Sequence, residues 1–197
     1  MKKIYCVTGP MAAGKNAASS FFEKNGFACI DADLLGHRAV ELKKEKILET
    51  LKEEASKKNV NLLNKDGSLN RESIAKIVFS NPELLQKHEA IVFPEINRML
   101  EEFCEKNKDS SIIINATVLY KVPLIKKISR IIYIDAPLHE RFVRAKKRGH
   151  MSALQILERF SSQRNLFAKY KISNADTERV WNTGSKSSLE EKLRKFL

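Results

Sequence analysis

Cysteine is scarce in this chain. Cys6, Cys29 and Cys104 are odd in number and widely spaced, which excludes a disulfide framework and a zinc-ligand pattern. Cys6 and Cys29 sit in apolar runs, so buried reduced thiols are expected there. No apolar run approaches the length of a membrane span, and no membrane partner is expected. After Lys2 and Lys3 the apolar stretch from Ile4 to Thr8 stops at a glycine without a small-residue cleavage site. A signal peptide is therefore not expected, and the expected compartment is the cytoplasm. Internal repeats, low-complexity tracts and nucleic-acid-binding motifs are also missing.

What is present fits one domain. The 197 residues leave room for a small helical insertion, and 43% of them are hydrophobic, enough for a sizeable core. A net charge of +12 attracts anions: nucleic acid, acidic lipid or a polyphosphate metabolite. The basic residues are dispersed rather than clustered, so a nucleic-acid partner is not expected.

Ile4 to Thr8 reads as a buried strand ending at Gly9-Pro10. Further strands are expected at Phe27 to Ile30, Ser111 to Ala116, Arg130 to Asp135 and Arg179 to Asn182. Helical patterns run over Ala17 to Lys24, Leu34 to about Lys58, Arg71 to Phe79 and Pro82 to about Lys106. Others cover Leu138 to Lys147, Ala153 to Tyr170 and Ser188 to Phe196. Apolar strands separated by helices predict an α/β fold, with a parallel sheet of about five strands covered on both faces. The all-helical stretch from about Leu34 interrupts that alternation and is the natural place for a substrate-binding insertion.

Gly9-Pro10-Met11-Ala12-Ala13-Gly14-Lys15-Asn16 fits G-x-x-x-x-G-K, with a strand before it and a helix after it. Glycines there allow close backbone approach, so that successive N–H groups hold a phosphate at a helix N-terminus. Lys15 adds positive charge for β and γ phosphates. An ordinary glycine-containing turn with a solvated lysine is the competing explanation, and it does not require this strand and helix. A Ser or Thr usually follows the lysine and holds magnesium through its hydroxyl. Asn16 stands there instead; its amide oxygen can ligate the ion directly or through water.

Asp31 and Asp33 follow the second strand at its carboxyl end, the edge where open α/β sheets bind ligands. Alternate residues of an extended stretch point the same way, so both carboxylates can face one site. A carboxylate there can accept the proton of an attacking hydroxyl. Asp33 before Leu34-Leu35 also suits a helix N-cap, and the two roles are compatible.

Taken together, these segments resemble the dephospho-CoA kinase family over nearly the whole chain and in order. Ile30-Asp31-Ala32-Asp33 is similar to the family's I-D-A-D, and Asp66 to Arg71, with Val78-Phe79 after it, to D-G-x-L-x-R and V-F. Ala136-Pro137 with Arg144 and Arg148, the pair Arg159 and Gln163, and Ala175-Asp176 with Asn182 to Ser185 resemble its later motifs. There are departures. Phe93-Pro94 stands for the family's His-Pro, and Asn115 to Lys121 for its D-x-P-L-L-F-E, so that Asp becomes Asn115, Pro becomes Thr117 and Glu becomes Lys121.

The resemblance implies a P-loop kinase-type fold with a helical substrate-binding insertion and a lid. By it, residues 1–33 and 109–197 form the nucleotide-binding core, 34–108 the insertion and 138–170 the lid. It implies ATP as phosphoryl donor, magnesium, and dephospho-CoA as the small-molecule acceptor, phosphorylated at its ribose 3′-hydroxyl. Asp33 is then the general base and touches substrate, as does Arg71 in the insertion. ATP falls to Gly9, Met11, Ala12, Ala13, Gly14, Lys15 and Asn16, with Arg144 and Arg148 from the lid and Asn182 and Gly184 beside the adenine. Lys15 and Arg148 share in catalysis, and Asn16 and Asp31 are the candidate magnesium ligands. Without the resemblance, Arg144, Lys146, Lys147 and Arg148 read as a solvated basic helix face.

Overall fold

A computed structural model of the chain describes residues 3–149, 151–171 and 175–197. Residue 150 of the expected lid, and residues 1, 2 and 172–174 of the expected core, lie outside them. In chain order the elements are β1 (Ile4–Thr8), α1 (Lys15–Lys24), β2 (Ala28–Asp31), α2 (Ala32–Leu42) and α3 (Lys44–Lys57). Next come α4 (Arg71–Ser80), α5 (Pro82–Lys106), β3 (Ile112–Asn115), β4 (Arg130–Asp135), α6 (Leu138–Lys147) and α7 (Ala153–Ser162). The chain ends with α8 (Leu166–Lys171), β5 (Asp176–Trp181) and α9 (Lys186–Leu193). Short 3₁₀ turns at Leu119–Lys121 and Pro123–Lys127 lie between β3 and β4.

Among the described residues the strands form one sheet in the order β2-β3-β1-β4-β5, every neighbouring pair parallel. A parallel sheet puts all carboxyl ends on one edge. The loop after β1, the acidic pair at the end of β2 and Asn115 at the end of β3 therefore emerge side by side. Val7 pairs with Asn115, and Asn115 with Asp31.

The continuous apolar strands reflect burial on both faces. Tyr5, Val7, Ile113, Ile132 and Ile134 pack with Phe21 and Phe22 of α1 and with Leu189 and Leu193 of α9. Side chains alternate along a strand, so Thr8, Ile114 and Tyr133 belong to the opposite face. There α8 packs: Phe167 meets the Tyr133 ring edge-on at 4.8 Å, and Tyr170 is fully buried.

Packing separates two compact units, Met1–Asp33 with Glu101–Leu197, and Leu34–Leu100. In the second, Ile47, Leu51, Ile77 and Val92 are buried. Asn70 caps α4 by accepting the Ser73 N–H at 3.1 Å. Asn81 caps α5, accepting from Glu83 at 3.0 Å and Leu84 at 3.3 Å, with Pro82 at the first helical position. The Asn64-to-Gly67 turn closes on a Leu63–Leu69 antiparallel bridge. Buried Glu95 binds Lys43 at 3.0 Å and Arg98 at 2.5 Å, and these bonds hold its carboxyl below the usual range.

Several element limits differ from the sequence expectation. The helix expected from Leu34 to Lys58 breaks at Lys43, the residue whose ammonium reaches Glu95. The helix expected from Ala153 to Tyr170 breaks after Ser162. Strand β5 begins at Asp176 rather than Arg179, because an edge strand is built as much by polar residues as by apolar ones. Asp176 pairs with Arg130 of β4 at 2.8 Å.

Candidate active site

The Gly9–Gly14 loop joins the centre of the sheet to α1. Gly9 has φ +145°, and a Cβ there would lie 2.0 Å from the Ile134 carbonyl oxygen. Gly14 has φ +114°, and a Cβ there would lie 2.2 Å from Asn182 Nδ2. Both positions therefore exclude a side chain on conformation and on space. Ala12 also takes a left-handed φ of 61°, a strain the surroundings must hold in place. It is buried with Ala145 and Ile156 beneath Met11, Phe142 and Phe160.

Three side chains from later elements brace the loop. Gln163 accepts the Met11 N–H at 2.7 Å, and Arg141 Nε donates to the Met11 carbonyl at 2.9 Å. Asn182 Nδ2 donates to the Ala13 carbonyl at 2.7 Å. The Ala13 N–H bonds to the Pro10 carbonyl at 3.2 Å. With Met11 and Ala13 engaged, the donors that lack an acceptor within the helix are those of the first turn of α1. That turn has no acidic residue and no side-chain cap, which leaves the helix dipole free to meet an anion.

Lys15 folds back to the Gly9 carbonyl at 3.1 Å. Burial pushes its ammonium below the usual lysine value; the carboxylates of Asp33 and Asp31 pull it back up, and Arg148 and Arg141 push it further down. Lys15 thus lies in the combined field of the acidic pair and the α6 arginines. Arg148 is exposed at the carboxyl end of α6. Arg144 is half-buried; it donates to Glu140 at 2.5 Å and to the Asn182 carbonyl at 3.2 Å, and its Nη1 has no hydrogen-bond partner among the described residues. Lys146 and Lys147 are exposed.

Arg141 is a candidate site residue that the sequence does not single out. It is 7% exposed, stacks on Phe160 at 4.2 Å, and keeps one guanidinium nitrogen, Nη2, without a hydrogen-bond partner among the described residues. Its signal lay in spacing: Arg141, Arg144 and Arg148 fall at i, i+3 and i+7, one helix face. Consecutive residues of the basic run 144–148 point in different directions.

After β2, Asp31 Oδ1 accepts the Asp33 N–H at 2.9 Å, so Asp31, not Asp33, caps α2. Asp33 is exposed on the first turn. Its two oxygens accept from Thr117, Oδ1 from the N–H at 3.1 Å and Oδ2 from the hydroxyl at 2.7 Å. Asn115 is buried and donates through Nδ2 to Asn16 at 3.1 Å and Asp31 at 3.2 Å. Asn115 Oδ1 is buried without a hydrogen-bond partner among the described residues. Tyr170 sits behind this segment: its hydroxyl accepts the Leu119 N–H at 2.9 Å and donates to the Thr117 carbonyl at 3.1 Å.

The donors around Asn16 suit a hard cation. Asn16, Asn115, Asp31 and Asp33 offer only oxygen as ligand atoms, and one buried amide oxygen is unused. No cluster of three or more His, Cys, Asp or Glu stands ready for a metal among the described residues.

Gly184 turns the chain after β5, just before Ser185 caps α9. Arg71 is the first residue of α4, in the Leu34–Leu100 unit. There it lines a cavity of about 680 Å³ with His37, Arg38, Glu41 and Asn64 among others. His88 on α5 is half-buried, and burial lowers its pKa.

The sequence profile of dephospho-CoA kinase matches residues 3–183. The chain belongs to the dephospho-CoA kinase family. It is 41% identical over 192 residues to the dephospho-CoA kinase of Treponema denticola, covering 95% of this chain and 85% of that one. With the Treponema pallidum kinase the identity is 35%, covering 95% and 90%. A crystal structure from Thermus thermophilus superposes with a TM-score of 0.79 at 28% identity, covering 99% of this chain and 96% of that one. Dephospho-CoA kinase from Campylobacter jejuni shares the fold, with a TM-score of 0.70 at 24% identity and coverage of 100% and 96%. Membership makes the chain a kinase-type phosphotransferase that uses ATP, on a parallel α/β sheet flanked by helices.

Proposed function

We propose that this member of the family transfers the γ-phosphoryl group of ATP to the ribose 3′-hydroxyl of dephospho-CoA, giving CoA. The observation that carries the reading is the sheet edge: the Gly9–Gly14 loop and Lys15 follow β1, Asp31 and Asp33 stand at the end of β2, and Asn115 at the end of β3 donates to both Asn16 and Asp31. A phosphoryl transfer needs these partners, a cation for the phosphates and a carboxylate for the acceptor hydroxyl.

In this mechanism Lys15 and the first-turn N–H groups of α1 hold the β and γ phosphates. Asp33 orients the acceptor hydroxyl and takes its proton. The 3′-oxygen attacks phosphorus, the new P–O bond forms, and the bond from phosphorus to the β–γ bridging oxygen breaks, releasing ADP. Asp33 has lone pairs to spare, since a carboxylate offers about four acceptor sites and Thr117 occupies two. Arg148, with Arg144, neutralises the charge spread over the transferring group. Asn182 and Gly184 flank the adenine, and Arg71 contacts the acceptor in the 34–108 insertion, with 138–170 acting as the lid. Asn16 and Asp31 would hold magnesium, which supplies charge neutralisation at the phosphates when bound.

Replacing the base tests the assignment. Asp33→Asn should lower turnover by at least about 100-fold, with ATP affinity little changed. Near-wild-type turnover in that variant removes Asp33 from the mechanism. A parallel comparison of dephospho-CoA with a panel of nucleoside monophosphates distinguishes this acceptor from that of another small-molecule kinase.

A further inference from the structure

Asp33 is an exposed side chain on the first turn of a helix, a place where a carboxylate rotates freely unless something holds it. Thr117 holds it at two points. Its N–H donates to one carboxylate oxygen at 3.1 Å and its hydroxyl to the other at 2.7 Å. Two donors from one residue, one on each oxygen, fix the direction of the carboxylate and the rotation of its plane. Only Ser or Thr can make this grip in such a form, because it needs a backbone N–H and a short hydroxyl together. A proline offers neither donor.

The grip is itself anchored. The Tyr170 hydroxyl donates to the Thr117 carbonyl at 3.1 Å and accepts the Leu119 N–H at 2.9 Å. Tyr170 has no exposed surface. The 116–119 turn is thereby tied to a buried ring on α8, and the Thr117 donors stand on a fixed base rather than a loose loop.

We infer that Thr117 is a positioning residue for the reaction: it aims the Asp33 carboxylate at the acceptor hydroxyl, and Tyr170 holds Thr117 in place. The inference rests on Asp33 being the proton acceptor. A misaimed base loses rate without losing substrate, because proton transfer depends steeply on geometry.

The test is a set of Thr117 variants measured with and without Asp33. Thr117→Val keeps shape and N–H but removes the hydroxyl. Its kcat should fall about 10-fold, a loss in line with one hydrogen bond to a charged group. Its KM for dephospho-CoA, its ATP affinity and its Tm should stay at wild-type values. Thr117→Ser should restore kcat. In an Asp33→Asn background, Thr117→Val should cost nothing further in residual turnover, followed by mass spectrometry over long incubations. Wild-type kcat in Thr117→Val, with Asp33→Asn inactive, overturns the Thr117 role and leaves the base assignment standing. Full activity in Asp33→Asn overturns both. A loss of Tm or ATP affinity that tracks the loss of kcat makes Thr117 a structural residue and also overturns its positioning role.

Discussion

At Lys15, burial and charge pull in opposite directions. Burial lowers the ammonium pKa from its usual 10.5, and Asp33 and Asp31 restore part of the loss. On the proposed reading Lys15 binds phosphate only while protonated, so ATP affinity should fall as pH rises through its titration, beginning below 10.5. The sign for stability is the reverse. With a folded pKa below the unfolded one, the buried ammonium costs stability at neutral pH, and the cost is relieved as pH rises toward 10.5. Burial raises the Cys6 thiol and the Tyr170 hydroxyl well above their usual values, and raises the Cys29 thiol to about 11. ATP affinity titrated by fluorescence should show an alkaline limb in the wild type. In Lys15→Arg the limb should vanish, because arginine does not titrate there.

Elements reveal what residue patterns hid. β1, β4, α4, α5 and α6 were readable almost to their ends, because apolar runs, Gly-Pro stops and the Asn81-Pro82 start are local signals. The glycine loop between β1 and α1 was readable for the same reason, since Gly9, Gly14 and Lys15 fall within seven consecutive residues. Thr117, Tyr170 and Arg141 were not, because their meaning lies in partners 84, 53 and 130 residues away. The break between α7 and α8 belongs to the same class. Gln163 meets the phosphate loop and Tyr170 meets the 116–119 turn, and helical periodicity carries no trace of either contact. Tyr170→Phe keeps the buried ring but strips the hydroxyl from the Leu119 N–H and the Thr117 carbonyl. The buried Leu119 N–H, left unpaired, costs about 1–3 kcal/mol. A thermal melt should show Tm lower by about 2–12 °C, on a scale of about 2–4 °C per kcal/mol for a chain of this size. An unchanged Tm would mean that the hydroxyl bears no structural load.

For the whole molecule, charge and fold answer different questions. A net charge of +12 attracts any anion and chooses none. Parallel strand order chooses the place, by bringing the ends of β1, β2 and β3 to one edge, and the side chains at that edge choose the chemistry. Three of the departures from the family pattern, Asn16, Asn115 and Thr117, gather there too. Asn16 and Asn115 are hydrogen-bonded to each other, and Thr117 grips Asp33. The edge is thus rebuilt as a connected set rather than eroded at scattered points. The measurement that tests the central claim most directly is mass spectrometry of dephospho-CoA incubated with the purified chain, ATP and magnesium. A gain of one phosphoryl group on dephospho-CoA, with ADP formed in equal amount, is the predicted result. Dephospho-CoA left unchanged by a folded, ATP-binding chain would contradict it.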